Sequence, residues 1–164
     1  MGMIKNIFTG LLVINLVGCA GYADFPQVVQ TPAPVNVTGV WMSDGPQKSL
    51  VDPAAIASLV VDRAGNTLDC RQWQSTIARR GKLTWRGEQL YNVNVKNEYQ
   101  KIIVTGDKMQ YGRLGLRRVA KPTVECQAFV VYANGEYTFT DRPVSTVLPQ
   151  ASTHKKANVI RTNK

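Results

Sequence analysis

The sequence predicts a mainly β domain, a small antiparallel meander that closes as a barrel or stacks as a sandwich. Three observations carry this reading. Short runs of apolar and aromatic residues alternate with polar ones from residue 59 to residue 121, the period of a half-buried strand. Turn residues, among them Ala64-Gly65-Asn66, Gly106-Asp107, Gly112 and Gly115, separate the runs at a spacing of roughly ten residues, too tight for intervening helices. Seven or eight such strands can close on themselves and so remove the exposed edges that invite aggregation.

Ahead of the domain, Lys5 and an apolar run over residues 7–17 lead into Leu16-Val17-Gly18-Cys19. A basic start, about ten apolar residues and a small-residue cleavage site make a secretory signal. The segment is too short to cross a bilayer, which takes about twenty apolar residues. A cysteine directly after Gly18 turns the signal into a bacterial lipobox. Residues 1–18 are therefore the expected signal peptide. Cys19 is the expected acceptor of a diacylglyceryl group and, once cleaved, of an N-linked acyl chain such as palmitate. Ala20, where an aspartate would favour retention in the inner membrane, favours release to the outer membrane. The expected address is a lipid anchor there, facing the periplasm.

Residues 19–37 hold Pro26, Pro32 and Pro34. Prolines this dense favour an extended, polyproline-like spacer, here a tether of at most roughly 55 Å. The β domain is expected over residues 38–132. Thr38-Gly39-Val40-Trp41-Met42 opens it and Gly45-Pro46 marks a turn. Asp52 followed by Pro53 reads as a helix cap and first helical residue, with a single turn over Ala54, Ala55 and Ile56. Leu59-Val60-Val61 has strand composition. Candidate strands follow over residues 67–74, 77–85 (bent at Gly81), 88–95, 98–105, 108–113 and 116–121, and Pro122 ends the series. Residues 133–164 follow the domain. Runs at 129–132 and 137–139 form a short hairpin across Asn134-Gly135, and the polar, weakly basic tail from Pro143 reads as disordered.

The chain carries a net charge of +9. Losing Lys5 with the signal leaves 19 basic and 11 acidic residues, or +8. A spread-out basic surface suits lipopolysaccharide phosphates, anionic lipid headgroups or acidic wall polymers, and is equally an ordinary soluble surface. A secreted lipoprotein rarely meets nucleic acid, so none is expected as a partner. Beyond Cys19 two cysteines remain, Cys70 and Cys126. An even pair in an oxidising compartment reads as one disulfide, with two buried thiols or a metal pair as alternatives.

The most distinctive run is Leu68-Asp69-Cys70-Arg71-Gln72-Trp73-Gln74. In a strand, Leu68, Cys70, Gln72 and Gln74 share one face, and Asp69, Arg71 and Trp73 the other. On that second face Asp69 and Arg71 can pair, which reads either as a local structural ion pair or as part of a ligand or partner surface. Trp and Arg dominate many interfaces, so Arg71, Trp73, Trp85 and Arg86 form the candidate binding surface, while Trp41 is assigned to the core.

Catalytic constellations are sparse. The single histidine, His154, falls in the expected tail, which excludes a Ser-His-Asp, Cys-His or histidine-metal site from the domain. No Gly-rich phosphate loop is present, and neither cofactor nor metal is expected. Acids such as Asp44, Asp62, Glu88 and Glu98 leave room only for a carboxylate-pair hydrolase, and several of them sit beside turns, where acids serve conformation.

Gly39-Val40-Trp41, with Arg117-Arg118 late in the domain, resembles the calycin arrangement, which includes the lipocalins. That resemblance implies a Gly-x-Trp in the first strand and a late arginine stacked on the indole at the closed end, here a Trp41–Arg118 pair. Thr31-Pro32-Ala33-Pro34, Gly39, Trp41, Gly45-Pro46-Gln47, Leu50-Val51, Pro53, Ile56, Ser58-Leu59, Gly65, residues 67–74 and Glu125-Cys126 together resemble the YedD-like lipoprotein family. This second resemblance implies an address and a disulfide more than an activity, and the segment after Cys126 extends beyond its pattern. The expected function is a non-catalytic binding or regulatory module of the cell envelope. Its partner would be an envelope protein or an anionic wall or lipid component. The alternative is a carrier of a small apolar ligand, although a barrel of this size is expected to have a filled core.

Overall fold

The computed structural model describes residues 23–133, 136–140 and 142–144. The expected signal peptide, the expected lipidation residue Cys19, the expected turn at Asn134-Gly135 and the expected tail beyond residue 144 lie outside these. Eight strands follow one another antiparallel: β1 (Gly39–Ser43), β2 (Ile56–Val61), β3 (Asn66–Gln72), β4 (Thr76–Arg86), β5 (Gln89–Asn94), β6 (Tyr99–Thr105), β7 (Lys108–Tyr111) and β8 (Leu114–Val119). Pairing of β1 with β8, in the register Val40 opposite Val119, closes the sheet into a barrel.

Alternation along each strand divides its residues between the barrel's interior and its outside. Trp41, Leu59, Leu83, Leu90, Ile102, Met109 and Leu116 form the interior core. The end where β1 begins and β8 finishes is the floor, and the chain just before β1 closes it, with Val37 buried in the core. The opposite end is the mouth, framed by the β1–β2 loop and the β3–β4, β5–β6 and β7–β8 turns.

A second apolar cluster lies outside the barrel. Val60, Leu68 and Cys70 point outward and pack with Cys126, Phe129 and Phe139. A short helix, α1 (Val124–Gln127), is capped by the Thr123 hydroxyl. It leads to the hairpin β9 (Val130–Ala133) and β10 (Glu136–Phe139). The disulfide Cys70–Cys126, with Cα atoms 6.0 Å apart, bolts this layer to β3.

Two expectations are corrected. Residues 24–37 are not a free tether: they form a strap along the barrel. It includes a 3₁₀ turn at Phe25–Gln27 and hydrogen bonds from Thr31 N–H to Leu83 O (2.8 Å) and from Ala33 N–H to Arg63 O (3.1 Å). Proline density rules out a regular ladder, but isolated N–H groups between the prolines still find barrel carbonyls. Where the strap crosses, Thr84 and Val93 face outward and are nevertheless buried. Gly65, at φ 89°, makes this approach feasible, because any Cβ there would overlap the Thr31 carbonyl oxygen. The second correction concerns Asp52. Its carboxylate accepts from Ala54 N–H (2.7 Å), but the chain makes a tight turn instead of a helical one, and Ile56 already belongs to β2.

Candidate functional site

The charged face of β3 is the inward one. Asp69 stands opposite the core residue Leu59, and directly opposed residues share a face. Asp69 therefore points into the barrel, with Thr67 below it and Arg71 above it toward the mouth. Arg71 clamps the Asp69 carboxylate with two bonds, Nε–Oδ1 at 2.7 Å and Nη2–Oδ2 at 3.0 Å. The Tyr111 hydroxyl donates to Asp69 Oδ2 (2.8 Å) and accepts from Asn92 Nδ2 (2.7 Å). Asn92 Oδ1 in turn accepts from the Thr67 hydroxyl (2.6 Å).

This chain of bonds crosses the barrel between the apolar floor and the mouth. Gly81 leaves it space, since a Cβ there would collide with both Thr67 Oγ1 and Asn92 Oδ1. Burial works against the charged form of Arg71, but the Asp69 carboxylate outweighs it, and the guanidinium is held more firmly protonated than usual. Burial, then Asp69, push the Tyr111 phenol well above its ordinary range. The network thus joins the Asp69–Arg71 ion pair, through the protonated Tyr111 phenol, to the Asn92 amide and the Thr67 hydroxyl.

Nearer the mouth, Arg79 binds Glu98 (2.7 Å), whose carboxylate also accepts from Asn94 Nδ2 (2.7 Å). Among the described residues no three His, Cys, Asp or Glu side chains converge as a metal site requires.

The four residues assigned to one binding surface do not form one. Arg71 is committed to Asp69 inside the mouth, its guanidinium carbon 5.7 Å from the Tyr111 ring centre. Trp73, half exposed at 50%, stands in the β3–β4 turn at the mouth. Trp85, 49% exposed, is at the other end of β4 opposite Leu90, a strand length of roughly 30 Å away. Arg86 reaches over the outer face toward Tyr99, 5.6 Å from the ring centre. Residue type grouped them, but an eleven-residue strand carries its two ends to opposite poles. Trp41 is completely buried, with the Arg118 guanidinium carbon 4.2 Å from its ring centre.

Sequence reasoning missed a groove on the outer face, between the strap and the C-terminal hairpin. It encloses about 1030 Å³. Val40, Phe25 and Tyr137 supply its accessible apolar surface above the buried Val60 and Phe139, and Arg63, Arg80, Lys82 and Arg118 outnumber Asp62 among its charged side chains. Its walls come from segments read as tether and extension, so no strand pattern could have announced it.

A family model described as "Bacterial lipocalin LPS transport optimiser YedD" matches residues 22–130 of this chain. An "Uncharacterized lipoprotein YedD" of Salmonella typhimurium (strain LT2) is 50% identical over 126 residues, covering 77% of this chain and 89% of that one. A protein of the same name from Escherichia coli (strain K12) is 45% identical over 126 residues, covering 77% and 91%. The crystal structure of a lipoprotein YedD from Klebsiella pneumoniae matches with a TM-score of 0.62 at 41% identity, covering 64% of this chain and 90% of that one.

Proposed function

The chain belongs to the YedD lipoprotein family, and on that premise we propose that it is a non-catalytic binding module of the outer membrane. Acyl chains on Cys19 hold it, the barrel faces the periplasm, and it assists lipopolysaccharide transport, as the family's description suggests. The observation that carries this reading is the filled barrel. Trp41, Leu59, Leu83, Met109, Tyr111 and Asn92 are all fully buried, so the interior is occupied by the protein's own side chains. A carrier of small apolar ligands needs an open pocket of several hundred cubic ångströms. Recognition therefore falls to the outside, where the groove pairs apolar surface with Arg63, Arg80 and Lys82. That combination suits a partner that is anionic and partly apolar. The commitment of the Asp69 carboxylate to Arg71 and Tyr111 inside the barrel supports a non-catalytic role.

The test places a photo-crosslinking residue at Arg63, on the groove, in growing cells. Capture of lipopolysaccharide or of a component of its transport is the expected result, with Cys19→Ser moving the protein from the outer-membrane to the soluble periplasmic fraction. A small apolar molecule bound one-to-one in native mass spectrometry of the mature protein would return the carrier reading.

A further inference from the structure

The strap fixes Ala23 against the barrel. At the mouth, the Ala23 carbonyl accepts from the Tyr99 hydroxyl. Asn97, in the β5–β6 turn at φ 59°, receives the Phe25 N–H on its side-chain oxygen (2.6 Å) and donates to the Asp24 carboxylate (3.1 Å). Cys19 precedes Ala23 by four residues, which span at most about 14 Å. The eleven residues of β4 run the length of the barrel, roughly 33 Å. A lipid on Cys19 therefore brings the mouth close to the bilayer, and the floor cannot take its place.

The same end presents apolar side chains to solvent. Trp73 and Ile77, each about half exposed, flank the β3–β4 turn, and Val51, 80% exposed, stands in the β1–β2 loop. Their turn and the strap's fixed point are two strand spacings apart, roughly 10 Å. Lys48, Lys96 and Arg113 are exposed among the mouth loops. Of the acids at this end, Asp69 pairs with Arg71, Glu98 with Arg79 and Asp44 with Arg117, while Asp24 and Asp52 accept from the neutral Asn97 amide and Ala54 N–H. An aromatic, apolar rim edged by cations has the composition of an interfacial membrane contact, where Trp sits at headgroup level.

We propose that the mouth of the barrel is a membrane-docking surface. Trp73 and Ile77, with Val51, seat in the headgroup region of the leaflet that holds the Cys19 lipid. The floor, with Trp85, points away into the aqueous space. The proposal rests on the lipid anchor inferred above, and the experiment separates the two.

Full-length lipidated protein is reconstituted into phosphatidylethanolamine–phosphatidylglycerol vesicles, with part of the lipid brominated on its acyl chains to quench nearby tryptophan. Flotation of the wild type but not of Cys19→Ser reports the anchor. Trp41 is buried and common to all samples, so Trp85→Phe reads Trp73 and Trp73→Phe reads Trp85. The expected result is loss of emission in Trp85→Phe, little in Trp73→Phe, and a smaller loss when Ile77→Asp is added to Trp85→Phe. Near-ultraviolet circular dichroism checks that each variant is folded. Flotation without quenching of Trp73, or with Trp85 quenched as strongly, overturns the docking surface and leaves the anchor standing. A wild type that does not float overturns both.

Discussion

Arg118 sits over Trp41, its guanidinium carbon 4.2 Å from the indole ring centre, and ties the floor of the barrel together. Its Nη1 and Nη2 donate to the Thr38 and Asn36 carbonyls, each at 2.7 Å. The Trp41 indole N–H donates to Val37 O at 2.8 Å. One strand-end arginine and one core tryptophan thus hold the chain segment that closes the barrel. Gly39 takes part by absence: at φ 126°, a Cβ there would come within 2.7 Å of Arg118 Nη1.

Replacing Arg118 by Ala removes a partly buried cation–π contact and two charge-assisted bonds, and should cost about 2–3 kcal/mol of stability. Arg118→Lys should recover only part of this, because a compact ammonium cannot reproduce the planar two-carbonyl fork. Urea unfolding followed by tryptophan fluorescence is the measurement. An unchanged midpoint in Arg118→Ala would show that the floor closes without it.

Gly65→Ala should release the strap while leaving the barrel closed. The new Cβ meets the Thr31 carbonyl oxygen, and φ 89° is strained for alanine. The bond from Thr31 N–H to Leu83 O is then the first to go. Hydrogen exchange should accelerate at Thr31 and Ala33 and stay slow at Leu59, which pairs with β1 and β3 inside the ladder. Equal acceleration at all three sites would mean that strap and barrel unfold as one unit.

Cys70–Cys126 closes a loop with a sequence separation of 56, which the chain-entropy model values at about 4 kcal/mol. The barrel is complete at Val119, before Cys126 is reached. Cys126→Ser should therefore lower the thermal midpoint and expose the segment around α1 to protease, while the product retaining β1 to β8 stays folded. Cleavage inside β1–β8 as early as around α1 would place the disulfide within the barrel's own folding unit.

The fold class was legible because alternation and turn glycines are local signals: the turns at Gly65, Gly106 and Gly112 all take positive φ, whereas Gly115, read as a turn residue, lies within β8 opposite Gln110. The Trp41–Arg118 contact was anticipated only through the calycin resemblance that Gly39-x-Trp41 and the late arginines carry. The orientation of β3 was not. Period-two alternation separates Leu68 and Cys70 from Asp69 and Arg71, but it cannot say which set faces in. Charge argues for Asp69 outside, whereas the register against Leu59 and the cover supplied by Phe129 and Phe139 settle it the other way. The strap escaped for a related reason: single N–H groups bonded to barrel carbonyls leave no periodic trace between Pro26 and Pro34.

Tyr111 should make the protein sensitive to alkali. Its phenol is raised by burial and by Asp69, whereas in the unfolded chain a tyrosine ionises near about pH 10. A folded value above the unfolded one contributes stability that is fully present below about pH 10 and is lost as pH rises toward the folded value. Tyr111→Phe should remove this part of the alkaline loss. At neutral pH it should cost about 1–3 kcal/mol, because Asn92 Nδ2 loses its acceptor and Asp69 Oδ2 a donor inside the barrel. Unfolding free energies of both proteins at pH 8 and pH 11, with phenolate absorbance followed alongside, make the comparison. Parallel decline in wild type and Tyr111→Phe would assign the alkaline loss to other groups. A steeper decline in the wild type, with one phenolate appearing only on unfolding, would assign it to the network that links Tyr111 to Asp69.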